Sequence, residues 1–366
     1  MKYKLVVILI VCGFSFYDPL CGQVFERSRS ESKAWKISKE TSLEIYNKYG
    51  SIHLYPWEKD SVKIEIDMRV KAGKESKVDK IFEYIDFEFS ESKYYIIART
   101  RFNQQGEFWS EVTDLANTFF SSGTKVQIDY SVYLPTSINL KIENKFGNIY
   151  TTDHQGKISI ILSNGDLKVN DLKGNSDLNI SFGNATINSL ASGKLSLNYS
   201  ELELGNAANL VVESKSSTLN IETIDNLTIN AKRDKYNINK VGILNGKSSF
   251  SYLTIKSFKS DLILETDYGK VNLEKINPEF KLIDLTTAYT DILLKLPVNS
   301  SFATDISHSS STQILAPESY SGLKSETIDK KADLYRTRGI TGNGSNKKGK
   351  INLKCNSGKI IFQEME

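Results

Sequence analysis

The chain has 366 residues, of which 47 are basic and 44 acidic, so its formal net charge is only +3 at neutral pH. The two signs are interspersed, which argues against a nucleic-acid-binding protein, because such proteins concentrate cations on one face. A chain of this length can form one large domain or two modest ones.

Residues 1–22 have the pattern of a signal peptide. Lys2 and Lys4 precede an apolar run from Leu5 to Phe16, and a cleavage point lies before Gln23. The run is shorter than the roughly 20 apolar residues of a membrane-spanning helix, and no second apolar stretch follows. We therefore predict a secreted or periplasmic mature chain, at the cell surface or elsewhere in the cell envelope, with no transmembrane segment.

The N-terminal part of the mature chain mixes strand patterns with one helix pattern. Residues 23–40 are polar and charged, which predicts a flexible lead-in. Strict alternation of apolar and polar residues from Val62 to Val70 predicts a half-buried strand. Four apolar residues between Val78 and Ile85 share one helical face, which predicts a helix over 74–85. We treat residues 41–137 as one β-rich unit.

Within that unit, the segment 103–123 is rich in aromatic residues. Its apolar side chains lie on one face of a helix over residues 107–120. The helix would cap the end of the repeats that follow, or it would dock a partner, since exposed aromatic patches mark interaction sites. The possible partner-binding residues are Phe108, Trp109, Phe119 and Phe120.

A weak repeat with a period of about 18 residues runs through residues 138–296. Each copy reads as a small-residue turn followed by two apolar residues spaced two apart. Residues at this spacing share one face of a strand, so both face inward. The first inward column is read as Ile149, Leu167, Ala185, Leu202, Leu219, Ile238, Leu253, Val271 and Ile292.

This repeat predicts an all-β fold. No copy has room for a crossover helix, and none carries the two-residue Asn-Gly or Asp-Gly turn of a tight hairpin. Winding into a β-solenoid, with each coil about 4.8 Å above the last, fits both observations. An antiparallel sandwich is the alternative.

After Pro297 the repeat breaks down. Residues 297–366 are predicted to form irregular loops and closing strands, and the basic stretch from Lys324 to Lys354 a solvated loop. The last strand, near 350–362, is predicted to cap the open end, because an uncovered edge invites aggregation. It includes Cys355, which is the only cysteine after the signal and is expected to be a packed core thiol.

Two carboxylates are the strongest candidates for catalysis. Asp166 and Glu201 follow the turns of copies two coils apart, which places them about 9.6 Å from each other at the strand spacing. Inverting glycosidases hold their carboxyl groups at a similar separation. Asn and Asp are also typical of turns, where they tolerate the left-handed conformation and bond their own backbone. We favour the turn interpretation and predict no catalytic residues.

The histidines His53, His154 and His308 are far apart in the sequence and lack partners at ligand spacing, so we predict no metal site and no cofactor. His154 falls in an apolar column and is predicted to fill the end of the stack. Aromatic residues recur beside the turns, where they would form either a sugar-binding face or a ladder that holds the coils in register. We favour the ladder. These residues are Phe146, Phe182, Tyr199, Phe250, Tyr268 and Tyr289.

Two units, Asn-Lys-Tyr-Gly-Ser-Ile at 47–52 and Asn-Lys-Phe-Gly-Asn-Ile at 144–149, carry a family resemblance. With the alternating strand from Val126 to Pro135, they resemble the exported β-strand-repeat proteins called "putative adhesins", frequent in Bacteroidetes. The resemblance implies a right-handed, parallel β-helix-like solenoid at the cell envelope, without catalytic residues.

The expected function is therefore non-enzymatic: adhesion or another interaction with a protein or glycan at the cell envelope. A periplasmic scaffold that binds a partner through 103–123 is the alternative. A polysaccharide-active solenoid enzyme is the remote one.

Overall fold

The computed structural model describes residues 24–102, 123–298, 300–341 and 347–365. Its N-terminal elements are β1 (Phe25–Lys36), β2 (Ser42–Lys48), β3 (Ile52–Pro56), β4 (Ser61–Ala72), α1 (Glu75–Tyr84), β5 (Ile85–Glu91), β6 (Tyr95–Phe102) and β7 (Lys125–Leu134). Then follow β8 (Asn139–Lys145), β9 (Ile149–Thr151), β10 (Ile158–Ser163), β11 (Leu167–Ser181), β12 (Asn184–Asn198), β13 (Glu201–Lys215), β14 (Thr218–Lys232), β15 (Lys235–Ser249), β16 (Tyr252–Asp267), β17 (Lys270–Leu273), β18 (Leu282–Ala288) and β19 (Asp291–Pro297). The last elements are β20 (Ser301–His308), β21 (Thr312–Leu315), a 3-10 helix (Glu318–Tyr320), β22 (Lys324–Asp329), β23 (Leu334–Thr341), β24 (Lys347–Asn356) and β25 (Gly358–Met365).

The long strands β11 to β16 lie side by side in sequence order, and each pairs in parallel with the next. Leu167 lies opposite Ala185, a separation of 18 residues. Leu202 lies opposite Leu219, a separation of 17. The chain therefore returns beside itself once per repeat, and we call each such unit a rung. The parallel pairing confirms the predicted all-β repeat and excludes the antiparallel sandwich for these strands.

Alternating side chains build the interior of the stack. In β13, Leu202 and Leu204 point inward and are almost fully buried, while the alternating Glu201 and Glu203 are exposed. Fully burying one leucine side chain contributes roughly 1.5–3 kcal/mol. Equivalent residues of successive rungs contact each other, so the inward columns form one continuous apolar core.

The structure corrects one member of the predicted first inward column. Tyr236, not Ile238, lies opposite Leu219, and Ile238 belongs to the second column opposite Ile221. Tyr236 is fully buried. The prediction allowed only aliphatic residues in this column and therefore missed a tyrosine. Tyr236 can be buried there because its hydroxyl group has a buried hydrogen-bond partner, Ser214 Oγ, at 2.7 Å.

Both ends of the stack depart from sequence order. The rung of β2 and β3 lies between β6–β7 and β8–β9. The last rung, β24 and β25, lies between β18–β19 and β20–β21. The final strands are therefore not the cap that the sequence predicts. The β20–β21 rung lies outside them, and β23 pairs antiparallel with β20.

Two segments expected to be irregular form strands. Residues 25–36, within the predicted flexible lead-in, are β1, which pairs antiparallel with β4 along its whole length. Most of its side chains are exposed, and its sequence lacks the apolar alternation that predicts a strand. Backbone hydrogen bonds to β4 hold it in the sheet. Residues 324–341, within the predicted basic loop, form the β22–β23 hairpin, whose outer strand is fully exposed.

The predicted helix over 74–85 is confirmed as α1, which buries Val78 and Ile81. Cys355 is buried, as predicted, and burial raises the pKa of its thiol to about 11. Within the part of the chain that the structure describes, no helix is long and apolar enough to cross a membrane. The predicted signal peptide at 1–22 lies outside the described residues.

Candidate binding surface

One residue in most of the turns that line this side of the stack adopts the left-handed backbone conformation, with φ between 50° and 68°. We call this row the turn column. It consists of Tyr49, Phe146, Asn164, Phe182, Tyr199, Ser216, Arg233, Phe250, Tyr268, Tyr289 and Ser357. This conformation costs roughly 1–2 kcal/mol for a residue with a side chain. Hydrogen bonds between rungs offset the cost, such as Phe182 N to the Asn198 carbonyl oxygen at 3.0 Å.

The aromatic members of the turn column stack face to face. Ring centroids of Phe182 and Tyr199 are 5.2 Å apart with an interplanar angle of 3°, and those of Phe250 and Tyr268 are 4.9 Å apart at 4°. Tyr268 stacks in turn on Tyr289 at 4.9 Å. About half of each side chain remains exposed to solvent. The predicted aromatic ladder is confirmed, and its solvent-facing edges form a surface stripe.

The position after the turn column admits little side-chain volume in the early rungs. A Cβ atom on Gly165 would lie 2.1 Å from the carbonyl oxygen of Gly147, and one on Gly183 would lie 1.9 Å from that of Gly165. Later rungs hold Ser200, Ser217 and Asp234 here. This close approach of backbones explains the small-residue turns of the repeat.

The stripe is interrupted between Tyr199 and Phe250, where the column holds Ser216 and Arg233. Three lysines surround this interruption. Lys215 and Lys232 lie opposite each other just before the column, and Lys235 lies just after it. All are exposed, as is Arg233.

None of these four cations forms an ion pair with an acidic side chain among the described residues. In the described parts of β12 to β16, the ion pairs are Lys194–Glu213 and Lys247–Glu265. Asp234, next to Arg233 in the chain, is buried and points away from solvent. The interruption is therefore a local concentration of positive charge between two aromatic runs.

Asp234 belongs to a buried polar network that the sequence did not reveal. Its carboxylate accepts hydrogen bonds from the Ser217 and Lys232 backbone N–H groups, both at 2.7 Å, and from Ser214 Oγ at 2.8 Å. Burial raises the pKa of Asp234, and these hydrogen bonds oppose the rise. Burial also raises the pKa of Tyr236, which contacts the same serine. The network fixes the turn beneath Arg233.

Asp166 and Glu201, the candidate catalytic pair, lie two rungs apart with Asn184 between them. The Asp166 carboxylate accepts hydrogen bonds from the Asn184 backbone N–H at 3.0 Å and from its side-chain amide at 3.1 Å. Asn148 bonds the backbone of Asp166 in the same way, at 2.9 Å. These side chains link successive rungs. The prediction that these residues serve the turns is supported. The predicted reason is wrong, because the left-handed residues are Asn164 and Tyr199, two positions before Asp166 and Glu201.

The three histidines occupy separate parts of the molecule. His53 stacks on Tyr150 with ring centroids 4.7 Å apart. His154 is buried beside Leu172, and burial lowers its pKa. It does not fill the end of the stack, because the β2–β3 and β6–β7 rungs lie beyond its own. His308 contacts Thr337. No group of three or more His, Cys, Asp or Glu side chains converges among the described residues.

A groove of about 500 Å³ runs across β11 to β16. Its side chains bond one another along the stack: Asn220 donates to Glu203 at 2.5 Å, and Asn237 donates to Asn220 at 2.7 Å. At Thr186 it meets a second recess of about 360 Å³ beside Tyr150. These hydrogen bonds link successive rungs and help to hold them in register.

The predicted partner-binding residues Phe108, Trp109, Phe119 and Phe120 lie outside the described residues. Their docking role stays a prediction. Sequence reasoning found the aromatic ladder but missed the cations in its interruption. The run Lys232-Arg233-Asp234-Lys235 was the available signal.

Three solved structures are similar to this chain. A putative cell adhesion protein from Clostridium sporogenes is 9% identical, with 93% of this chain and 100% of that chain covered and a TM-score of 0.19. A putative adhesin from Parabacteroides merdae is 10% identical, with coverages of 72% and 95% and a TM-score of 0.29. A putative lipid binding protein from Parabacteroides distasonis is 12% identical, with coverages of 72% and 95% and a TM-score of 0.28.

Two of these structures are thus described as a putative cell adhesion protein and a putative adhesin, at low identity and low structural overlap with this chain. No protein-family model matches the chain. No curated protein matches it either.

Proposed function

We propose that this protein is an exported, non-enzymatic, right-handed β-solenoid that presents an extended rigid surface for adhesion or another interaction at the cell envelope. Residues 138–296 form its repeats, 41–137 its N-terminal unit and 297–366 its closing part. The observation that supports this best is the turn column, where aromatic side chains are held at fixed spacing yet remain half exposed. A purely structural ladder would gain more stability from deeper burial.

The arrangement of polar groups favours binding over catalysis. Asp166, the leading catalytic candidate, already accepts two hydrogen bonds from the next rung. The aromatic stripe and the cations beside it lie on an open surface without a deep cleft. Such a surface suits contact with a long polymer or another envelope component.

The first test is surface exposure. Intact cells are treated with protease and the protein is detected by immunoblot beside a periplasmic control. We expect digestion of this protein while the control survives. Protection until the outer membrane is opened would contradict surface adhesion, and would favour the periplasmic partner-binding alternative through residues 103–123.

The second test is attachment. The purified chain without residues 1–22 is mixed with isolated envelope fragments and sedimented. We expect it to sediment with the fragments, and a variant with Tyr199, Phe250 and Tyr268 changed to serine to sediment less. A variant with Phe108, Trp109, Phe119 and Phe120 changed to serine is the comparison. If only this second variant loses attachment, the turn column is not the binding surface.

A further inference from the structure

The interruption of the turn column between Tyr199 and Phe250 has the shape of a ring-binding slot. Tyr199 stacks on Phe182 nearly in parallel, so its second face is directed along the stack toward Ser216. Phe250 stacks on Tyr268 in the same way, so its second face is directed toward Arg233. The two faces are three strand spacings apart, which is about 14 Å.

Ser216 is too small to fill this space. Elsewhere in the column an aromatic ring occupies the rung beside another ring at about 5 Å, as Tyr268 does beside Phe250. Non-bonded carbon atoms attract best at about 3.5–4.0 Å. One six-membered ring therefore fits over Ser216 against the open face of Tyr199, before the rung of Arg233 is reached.

The charges at the slot select the kind of ring. Arg233 lies in the slot, and Lys215, Lys232 and Lys235 flank it in the same two rungs. Arginine presents a planar fork that matches the geometry of a carboxylate, and lysine adds point charges around it. An occupant with one carboxylate per ring would thus satisfy both the aromatic face and the cations.

We infer that this slot binds the acidic sugars of an anionic polysaccharide, with one uronate ring over Ser216 and its carboxylate on Arg233. The C–H bonds on the face of a pyranose ring carry partial positive charge, which the negative face of Tyr199 attracts. The inference deepens the proposed function, on which it rests, by naming the class of ligand at the envelope.

Other anionic partners fit the slot less well. The cationic stretch covers two rungs, because Lys215 and Lys232 are followed in their column by Ser249 and then Asp267. A single-stranded nucleic acid needs a groove that follows its phosphates with positive charge over several nucleotides. A phosphate headgroup of a lipid would use the cations but leave the face of Tyr199 without a partner.

The experiment measures binding of the purified chain without residues 1–22 to polygalacturonate at physiological ionic strength, by calorimetry. Neutral dextran, oligothymidylate and vesicles containing phosphatidylglycerol are the comparison probes. Two variants change the slot. Ser216→Tyr fills it with the residue type found at position 199 without changing its charge. Arg233→Ser removes the guanidinium and places there the residue found at position 216.

Two further variants serve as controls. Asn164→Tyr fills another rung of the turn column away from the cations. Lys247→Ser removes a lysine that is already paired with Glu265, at 2.6 Å. Both controls should retain the affinity of the wild type for polygalacturonate.

We expect polygalacturonate to bind, dextran not to bind, and both slot variants to bind at least 10-fold more weakly. Absence of polygalacturonate binding, or unchanged binding by Ser216→Tyr, would overturn the inference. Tighter binding to oligothymidylate or to the vesicles than to polygalacturonate would also overturn it.

Failure of the slot and failure of the proposed function give different results. If the wild type sediments with envelope fragments but polygalacturonate does not compete, the slot inference is wrong and the proposed function stands. If the wild type binds polygalacturonate but is protected from protease on intact cells, surface adhesion is wrong and the ligand class stands.

Discussion

The inward columns and the turn column belong to the same rungs but restrict their residues differently. The inward columns restrict chemistry: almost every member is a buried apolar residue, as Leu202 and Leu219 are. The turn column restricts conformation: every member has a left-handed backbone, yet the side chains include Phe182, Ser216 and Arg233. The inward columns therefore contribute most of the stability, and the side chains of the turn column can vary more in their chemistry.

The largest expected effect is the loss of an inward side chain. Leu202→Ala should lower the free energy of unfolding by about 2–5 kcal/mol, because the neighbouring rungs cannot collapse into the cavity. Urea denaturation followed by circular dichroism measures it. Val211, an apolar residue of the same strand with 46% of its surface exposed, is the matched control. Val211→Ala should change stability by at most about 0.5 kcal/mol, and equal losses for both variants would contradict the comparison.

The next effect concerns the backbone contact behind the turn column. Gly165→Ala would place a Cβ atom 2.1 Å from the carbonyl oxygen of Gly147, so the two rungs must separate. We expect a loss of about 1–3 kcal/mol, as for other overpacked sites. Gly73→Ala is the control, since a Cβ atom there meets nothing within 4 Å. If both variants unfold at the same urea concentration, the rungs are less closely packed than described.

A smaller, pH-dependent effect is expected beneath the turn column at Asp234. Burial raises the pKa of Asp234 in the folded state above the ordinary value of an aspartate side chain, so the folded chain binds the proton more tightly than the unfolded chain. Its contribution to stability is therefore greatest at acidic pH and decreases as the pH rises through the folded-state pKa.

Unfolding of the wild type and of Asp234→Asn between pH 4 and pH 7 measures this term. The stability advantage of the wild type over the variant should be larger at pH 4 than at pH 7. An advantage that grows toward neutral pH would show that the hydrogen bonds from Ser214, Ser217 and Lys232 outweigh burial.

The inward columns could be predicted from the sequence because burial imposes a period that survives in each copy. The turn column could be predicted only where its members are aromatic. Arg233 and Ser216 share its conformation but not its composition, so the alignment of copies did not reveal them. Tyr236 was missed for the opposite reason: it is a core residue with a polar group.

The ends of the stack were less predictable because they depend on pairing between distant segments. β1 has exposed side chains at most positions and is held by backbone hydrogen bonds to β4. Backbone pairing of this kind leaves no apolar pattern in the sequence. β24 pairs with β18 and β20, which both lie more than 35 residues before it in the sequence. A repeat alone predicts neither arrangement.

The smallest expected effect separates the stacked rings from merely exposed ones. Tyr268 stacks on both Phe250 and Tyr289 at 4.9 Å, and 51% of its surface is exposed. Tyr252 projects from the neighbouring column with 61% of its surface exposed and takes part in none of the ring stacks seen among the described residues.

Aromatic pairs contribute about 0.5–1.5 kcal/mol beyond area burial, so Tyr268→Ser should lower stability by about 1 kcal/mol. Tyr252→Ser should cost less than about 0.5 kcal/mol. The backbone conformation is not the cause of the difference, because serine already occupies the same conformation at Ser216. Equal midpoints for the two variants in thermal denaturation would mean that stacking adds nothing to the ladder, and that these rings are kept at the surface for binding alone.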